Sequence, residues 1–248
     1  MKFNENFLKK LEEAKSIVFF TGAGISAESG IPTFRGAGGI WNKLKPEELA
    51  NFDAFLKNPE MVWEWYQYRR NIVEEAEPND GHKVIAELEK YYDVAVVTQN
   101  VDNLHRRAGS GNVYELHGNI ERNFCIDCGK FFEIEEVKFD DKTPRCPECG
   151  GLVRPDVVWF GEMLPQDVFS AGERAAANSD ICFVAGTSAI VYPAAYIPMT
   201  ARESGALIVE VNIEETDLSR YADYSFFGEA GKIMPRILEE VKAVKQKK

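Results

Sequence analysis

Short apolar runs alternate along this chain with longer segments in which apolar residues recur every third or fourth position. The short runs are rich in β-branched residues and nearly continuous, as expected of strands covered on both faces, whereas the longer segments have the period of helices. This alternation predicts a parallel α/β sheet. The predicted strands are 16–21 (SIVFFT), 94–98 (VAVVT), 113–116, 157–160, 181–185 (ICFVA) and 207–211 (LIVEV), and the predicted helices are 1–15, 81–91, 166–178, 194–203 and 230–245.

Two stretches interrupt the alternation. Residues 31–80 hold many aromatic side chains but no convincing strand, and a connection of that length favours a helical lobe over a loop. Residues 119–155 hold four cysteines among charged residues and turn formers. They indicate a second insertion with its own cross-link.

Composition narrows the class of protein. With 248 residues, 45% of them hydrophobic, the chain can bury a full core without disulfides. A net charge of −11 argues against a nonspecific nucleic-acid binder, which neutralises phosphates with Lys and Arg. No apolar run is long enough to span a membrane, and residues 1–15 lack the apolar core of a signal peptide. We therefore expect a cytoplasmic protein that binds neither membranes nor nucleic acid directly.

Four of the five cysteines form two C-x-x-C pairs, Cys125 with Cys128 and Cys146 with Cys149. Their spacing predicts a closed four-thiolate zinc site with a structural role, because no coordination position is left for water or substrate. Two disulfides are the alternative, disfavoured by the expected reducing compartment. A nucleic-acid-binding zinc ribbon is disfavoured by six Lys and Arg against eight Asp and Glu in residues 119–155. Cys182 lies in a buried-strand pattern and is predicted to be a core residue.

A glycine turn follows the first predicted strand. Gly22, Gly24 and Ala27 satisfy the pattern G-x-G-x-x-A between a strand and a helix start, where backbone without Cβ can approach a pyrophosphate. A tight structural turn is the alternative. The second strand and acidic ribose ligand of an ordinary dinucleotide dehydrogenase do not follow about 20 residues later. The sequence therefore predicts a dinucleotide site without the dehydrogenase layout.

Polar residues follow several other predicted strands. Parallel strands present their carboxyl ends at one edge of a sheet, so we expect these residues to converge on the glycine turn, although each could by itself be a helix cap. His117 follows a strand as well and is the candidate general base, because imidazole titrates near neutral pH. His82 and His105 lie in helical patterns and are interpreted as structural. The polar clusters are Gln99, Asn100 and Asp102 with the intervening Val101, then Gly186, Thr187 and Ser188, and finally Asn212.

Together, the segments GAGISAESGIPTFRG (22–36), TQNVDNLHRRAG (98–109), ELHG (115–118), GTSAIVYPAA (186–195) and the two C-x-x-C pairs resemble the sirtuin family. The resemblance runs over essentially the whole chain. It implies an NAD-dependent protein-lysine deacylase in which the acyl oxygen attacks the nicotinamide ribose, nicotinamide leaves and the acyl group ends on ADP-ribose. It also implies a Rossmann-like doubly wound large domain (1–30, 81–118 and 156–248) and a small lobe made of a helical module (31–80) and a zinc module (119–155).

The resemblance also assigns roles to residues. His117 would activate a ribose hydroxyl, and residues of the 158–162 and 189–192 segments would pair with the acyl-lysine peptide as an added strand, a mode of modest sequence selectivity. The NAD contacts implied are Gly22, Ala23, Gly24, Phe34, Arg35, Gln99, Asn100, Val101, Asp102, Gly186, Thr187, Ser188, Asn212 and Ala230. The peptide contacts implied are Val158, Phe160, Gly161, Glu162 and Val191.

Two departures refine the resemblance. The usual P-D-F-R is Pro32-Thr33-Phe34-Arg35 here, and Q-N-I-D is Gln99-Asn100-Val101-Asp102. The first occurs in the subgroup that removes acidic acyl chains, and the Tyr-x-x-Arg of that subgroup is present as Tyr66 and Arg69.

Tyr66 and Arg69 would share one helix face and could hold a carboxylate, with Ala50 leaving room for a longer acyl chain. The alternative is a core tyrosine beside a solvated arginine that neighbours Arg70. We thus expect desuccinylation or demalonylation to exceed deacetylation.

Three other activities compete with this interpretation. A mono-ADP-ribosyltransferase would use the same NAD chemistry, and a zinc-containing NAD dehydrogenase would need a second set of metal ligands, for which the sequence offers no candidate spacing. A non-catalytic nucleotide-sensing or zinc module would bind NAD without releasing nicotinamide.

Overall fold

The computed structural model describes residues 3–34, 39–40, 45–133, 136 and 143–246. No helix in these ranges has the length and apolar content needed to cross a bilayer. The helices are α1 (Glu5–Glu13), α2 (Ala23–Ser26), α3 (Pro46–Leu49), α4 (Phe52–Lys57), α5 (Pro59–Glu75), α6 (Asp80–Leu88), α7 (Leu104–Arg107), α8 (Gln166–Ala177), α9 (Tyr196–Glu203) and α10 (Ala230–Lys245). The strands are β1 (Ser16–Thr21), β2 (Asp93–Thr98), β3 (Val113–Glu115), β4 (Gly118–Cys125), β5 (Phe131–Glu133), β6 (Val153–Val157), β7 (Ile181–Ala185), β8 (Leu207–Asn212) and β9 (Tyr224–Phe227).

Six strands form one parallel sheet in the order β3-β2-β1-β7-β8-β9. The chain starts in the centre, winds outward to β3, and then returns to the other side of β1 as β7. This is the strand order of a doubly wound nucleotide-binding fold, in which ligands bind at the carboxyl ends of the two strands where the winding reverses. The predicted parallel α/β fold with a smaller lobe is confirmed, and β1 and β7 mark where a ligand should bind.

The sheet is buried on both faces because most positions of its central strands carry apolar side chains. Phe19 and Phe183 stack at 5.0 Å between ring centroids on the face covered by α1, α6 and α10. Val18 and Phe20 point to the opposite face, which α8 and α9 cover. Cys182 lies in this second core, where burial raises the pKa of its thiol to about 12. The prediction that Cys182 is a core residue is therefore confirmed.

The smaller lobe has its own core, between helices α3 to α5 and an antiparallel sheet in the order β5-β4-β6. Helix α5 begins where the Asn58 side chain accepts a hydrogen bond from the Met61 amide at 3.2 Å, with Pro59 in the first turn. Its buried face includes Trp63, whose indole donates to the Val153 carbonyl at 2.9 Å. As predicted, most of the described part of residues 31–80 is helical, in α3, α4 and α5.

The predicted strand at 157–160 is wrong. The strand in this region is β6, which ends at Val157 and pairs antiparallel with β4 outside the parallel sheet. Beyond it the backbone leaves the ladder, because the Val158 amide donates to the His117 carbonyl at 2.9 Å and the Phe160 amide to the Ala50 carbonyl at 3.0 Å.

Three strands, β4, β5 and β9, have no counterpart among the predicted strands. Strand β4 reads as polar, since Asn119, Asn123 and other hydrophilic residues fill much of it, and β9 is a short edge strand that is only partly buried. The bounds assigned to the two lobes stay a prediction.

Candidate active site

The glycine turn lies at the reversal point of the sheet, between the carboxyl ends of β1 and β7. The Gly24 amide donates to the Gly186 carbonyl at 2.8 Å. A Cβ atom on Gly24 would lie 2.7 Å from that carbonyl oxygen, so a side chain here would force the two strand ends apart. Gly186 has φ of +62°, a conformation that favours glycine. The helix that follows, α2, is only four residues long.

The polar residues that follow the strands do converge on this turn. Gln99 donates from its side-chain amide to the Thr187 hydroxyl at 2.9 Å and from its backbone amide to the Thr21 carbonyl. Asn212 donates to the Thr187 carbonyl at 3.1 Å. Strands β1, β2, β7 and β8 are therefore tied together by short side chains. We call this region the polar edge, and it comprises residues 22–24, 99–102, 186–188 and 212.

Asn100 and Asp102 lie deeper in the polar edge, and both are buried. The Asn100 side-chain amide donates to the Gly22 carbonyl at 3.0 Å and to the Ser26 hydroxyl at 3.1 Å. Ser26 in turn donates to an Asp102 carboxylate oxygen at 2.7 Å, and the Leu104 amide donates to the other at 3.0 Å. Burial raises the pKa of Asp102 despite these hydrogen bonds and the nearby charge of Arg69.

Ser26 was not among the predicted site residues, although it orients both Asn100 and Asp102. Its position inside the glycine turn was the available signal, because a serine that points into a buried nucleotide site must find a polar partner there.

His117 follows β3 beside the polar edge. Its Nδ1 atom lies 2.9 Å from the Gln99 carbonyl oxygen. A carbonyl oxygen only accepts, so Nδ1 carries the proton of the neutral ring and Nε2 has the free lone pair of a base. Burial lowers the pKa of His117, with the Gln99 hydrogen bond opposing it. The ring is thus neutral at neutral pH and can accept a proton at Nε2.

His82 and His105 form a buried pair behind the polar edge, with ring centroids 4.8 Å apart. His105 Nε2 lies 2.9 Å from the Thr21 hydroxyl, and His82 Nε2 lies 3.4 Å from the Ser26 hydroxyl. Burial lowers the pKa of His82 to about 4. Both rings are neutral packing groups, in agreement with their predicted structural role.

Arg69 and Tyr66 lie one turn apart on α5, and both are buried in the small lobe. The Arg69 guanidinium stacks over the Phe34 ring at 4.7 Å and near the Trp65 ring at 5.2 Å. The alternative of a solvated Arg69 is therefore wrong, whereas Tyr66 does belong to the core. Arg70 differs from Arg69, because its Nε atom donates a hydrogen bond to the Ile120 carbonyl at 2.6 Å and so attaches α5 to β4.

The segment 158–162 packs against the small lobe. Glu162 pairs with Arg154 and also accepts the Trp159 backbone amide at 2.7 Å. Arg154 is buried, and its guanidinium lies 3.3 Å from the centroid of a Trp159 ring. The Trp159 indole donates to the Tyr66 hydroxyl at 2.7 Å. We call Tyr66, Arg154, Trp159 and Glu162 the aromatic cluster.

Other predicted contact residues surround these two regions. Neither 158–162 nor 189–192 is a strand within this chain. Phe160 and Gly161 are exposed, Val158 and Val191 are half-buried, Ser188 is exposed after β7, and Ala230 begins α10 in a buried position. Arg35 lies outside the described residues.

The four cysteines of the C-x-x-C pairs meet in one place. All their sulfur atoms lie within 4.8 Å of one another, with Cys125 and Cys149 at 3.5 Å and Cys128 and Cys146 at 3.7 Å. Ligands about 2.3 Å from a tetrahedral zinc ion would be about 3.8 Å apart, whereas a disulfide needs about 2.0 Å. The donor set therefore fits zinc, and all four cysteines are free thiols rather than disulfides.

Comparison with known proteins places this geometry in context. The model of the Sir2 family matches residues 22–193. An NAD-dependent protein deacylase 2 of Pyrobaculum aerophilum is 51% identical over 238 residues, which are 96% of this chain and 95% of the relative.

Two solved structures show what related folds bind. A mutant Sir2 homologue in complex with ADP-ribose superposes with a TM-score of 0.95 at 47% identity, and covers 99% of both chains. A complex of Sir2 with a p53 peptide and NAD⁺ has a TM-score of 0.87 at 37% identity, covering 97% of this chain and 98% of the other.

Proposed function

The chain belongs to the Sir2 family, and from that membership we propose that it is an NAD-dependent protein deacylase with a preference for lysine acyl groups that end in a carboxylate, such as succinyl and malonyl. The products are nicotinamide, O-acyl-ADP-ribose and the free lysine. The observation that carries the reaction class is a neutral imidazole, His117, held by the Gln99 carbonyl in the same polar edge where Ser26 joins Asn100 and Asp102.

In this proposal, different residues of the polar edge bind different parts of NAD. Bound NAD would supply the electrophilic ribose carbon and the nicotinamide leaving group. The backbone of residues 22–24 holds the pyrophosphate together with Thr187 and Ser188, while Asn212 and Ala230 face the adenosine. Asn100 and Asp102 orient the nicotinamide ribose and carboxamide, with Gln99 and Phe34 beside them. His117 takes a proton from a ribose hydroxyl at Nε2.

The acyl-lysine peptide enters between 158–162 and 189–192. Neither segment has a strand partner within the described chain, which supports the addition of an extended peptide by main-chain hydrogen bonds. The four cysteines hold a structural zinc ion that stabilises the small lobe. The division into a large domain (1–30, 81–118 and 156–248) and a small lobe (31–80 and 119–155) belongs to the same proposal, as does a cytoplasmic location.

Arg69 supports the preference for acidic acyl groups. Its guanidinium is buried, and no hydrogen bond or ion pair to it is found in the described part of the chain. Burial lowers its pKa, with the electrostatic influence of Tyr66 and Asp102 opposing. A buried cation without an anionic partner is costly, and an acyl carboxylate would compensate that cost.

The test compares nicotinamide release with succinyl-lysine, acetyl-lysine and unmodified peptides of one sequence. The wild type should release nicotinamide only with acylated peptides and should have the higher kcat/KM with the succinyl peptide. Arg69→Met should lower the succinyl to acetyl ratio by about 10 to 100-fold, because hydrogen bonds to charged groups are the stronger class. Arg69→Lys keeps the positive charge but loses the bidentate guanidinium, so it should retain part of the succinyl preference.

Two results would overturn the proposal. An unchanged ratio in Arg69→Met would remove the carboxylate preference. Transfer of labelled ADP-ribose onto protein without acyl dependence would instead favour the mono-ADP-ribosyltransferase.

A further inference from the structure

Trp159 is joined to Tyr66 by a hydrogen bond in the interior of the small lobe. The indole Nε1 atom donates to the phenol oxygen at 2.7 Å, and both side chains are at most 2% exposed. The two residues are 93 positions apart in the chain. The contact therefore links the 158–162 segment directly to the helix that carries Arg69.

The chemistry of the two groups restricts where the phenol proton can point. An indole N–H only donates, so Trp159 occupies an acceptor position of the Tyr66 oxygen. The single proton of the phenol must then point elsewhere. Burial raises the pKa of Tyr66, so the hydroxyl keeps this proton. In the described ranges of the chain, no hydrogen bond donated by this hydroxyl is found.

Arg69 cannot accept that proton, because a guanidinium has donors only. It is nevertheless the charged group with the largest electrostatic influence on Tyr66. Asp102 also interacts electrostatically with Arg69, but its two carboxylate oxygens accept hydrogen bonds from the Ser26 hydroxyl and the Leu104 amide. Two buried donors thus lie on one helix face without a protein acceptor among the residues described.

The direction of the indole is fixed by its own surroundings. The Arg154 guanidinium covers a face of the ring, and Glu162 bridges Arg154 and the Trp159 backbone amide. Phe55 packs at 5.4 Å between ring centroids. Trp159 is therefore held at its backbone and at its ring, which leaves the indole N–H little freedom to turn from Tyr66.

We propose that Trp159 is a positioning residue for Tyr66 and, through it, a determinant of acyl specificity. By donating to the phenol oxygen, Trp159 directs the Tyr66 proton toward the acyl carboxylate that Arg69 attracts. The ligand chemistry is that of a short dicarboxylic acid monoamide of lysine. This inference rests on the proposed preference for acidic acyl groups and adds a residue outside the Tyr-x-x-Arg pair.

The experiment removes the indole N–H, and a control measures the effect of the smaller ring. In Trp159→Phe, the succinyl to acetyl ratio of kcat/KM should fall about tenfold, the size of one hydrogen bond to a charged group, mainly through a higher KM for the succinyl-lysine peptide. Trp63→Phe is the matched control. Trp63 is also buried, but its indole N–H donates to the Val153 carbonyl, whereas the Tyr66 hydroxyl accepts from Trp159.

A double-mutant cycle isolates the link between the two side chains. Tyr66→Phe alone should lower the succinyl to acetyl ratio about as much as Trp159→Phe, and the double variant should lower it no further. Independent, additive losses would overturn the inference, because Trp159 would then act by another route. An equal loss in Trp63→Phe would also overturn it, since general loosening of the lobe would explain both.

Failure of the inference can be told from failure of the proposed function. A wild type that shows no succinyl preference contradicts both. A preference that Arg69→Met abolishes and Trp159→Phe leaves intact contradicts the inference alone. Should Trp159→Phe not fold, benzothienylalanine at position 159 keeps the bicyclic shape and lacks the N–H, and an unchanged ratio there would be equally decisive against it.

Discussion

The polar edge and the aromatic cluster are built from different kinds of contact. Short side chains and backbone groups hold the polar edge through directional hydrogen bonds between neighbouring strands, as between Gln99 and Thr187. The aromatic cluster joins large side chains from a helix, a strand and a loop. It combines a guanidinium stacked on an indole, one ion pair, and hydrogen bonds from Trp159 to Tyr66 and Glu162. The difference suggests that the NAD chemistry tolerates little change, whereas substrate selection can be altered without loss of the fold.

Removal of zinc should have the largest effect of the changes proposed here, and it should act on the small lobe that contains the aromatic cluster. Cys125→Ala, or treatment with a strong chelator, should unfold the small lobe and abolish deacylation, because structural zinc contributes on the order of 10 kcal/mol to such modules. Zinc content and circular dichroism measure the effect. Cys182→Ala is the control, since this thiol lies in the core of the large sheet and should leave one zinc per chain. A zinc-free wild type with full activity would refute the assignment.

Replacement of the base should abolish catalysis while both regions remain folded. His117→Gln should lower kcat with any acyl peptide by about 10² to 10⁴-fold, the usual contribution of a general base. NAD affinity measured by calorimetry should stay near wild type. Retained turnover would assign the proton transfer to another group.

Acid should weaken the support behind the polar edge. The pKa of His82 is lowered to about 4 in the folded protein, against an ordinary value of 6.5. His82 is therefore protonated near pH 6.5 in the unfolded chain but only near pH 4 in the folded protein. Because the unfolded state binds the extra proton, the free energy of unfolding falls as the pH drops through this window. Between pH 7.5 and 4.5, the cost from His82 is about 2.5 kcal/mol.

Urea unfolding at both pH values checks this effect. His82→Gln should lose less stability on acidification than the wild type, and the comparison cancels any common effect of acid on the cysteines. Equal losses in the two proteins would place the acid sensitivity elsewhere.

Addition of one methyl group to the glycine turn should have the smallest effect of the changes proposed here. Gly24→Ala places a Cβ atom 2.7 Å from the Gly186 carbonyl oxygen, so the KM for NAD should rise by about tenfold or more as the strand ends separate. Gly111→Ala is the control, because its Cβ would be 3.4 Å from a Glu89 side-chain oxygen and far from the turn. An unaffected KM in Gly24→Ala would show that the turn adapts.

The polar edge could be predicted well because its parts are local. Each motif lies directly after a strand, and the topology of a parallel sheet brings strand ends together whatever the rest of the chain does. The cysteine cluster was predictable for a similar reason, since its two pairs carry their ligands at fixed spacing. What stays a prediction is the role of each residue toward NAD and peptide.

The aromatic cluster could not be predicted in the same way. Nothing in the sequence pairs Trp159 with Tyr66 or indicates that Arg154 is buried, because side-chain packing between distant segments leaves no periodic signal. The misplaced strand at 157–160 has the same origin. Its apolar run was interpreted as sheet, although after Val157 the chain is directed by contacts with the His117 and Ala50 carbonyls.

The carbonyl of Gln99 has one more consequence. Because this carbonyl accepts the hydrogen bond from Nδ1, Nε2 is the ring atom at which His117 can gain and lose a proton. In the proposed mechanism, a proton taken from a ribose hydroxyl must therefore leave again through Nε2, to a product or a water molecule on that side of the ring.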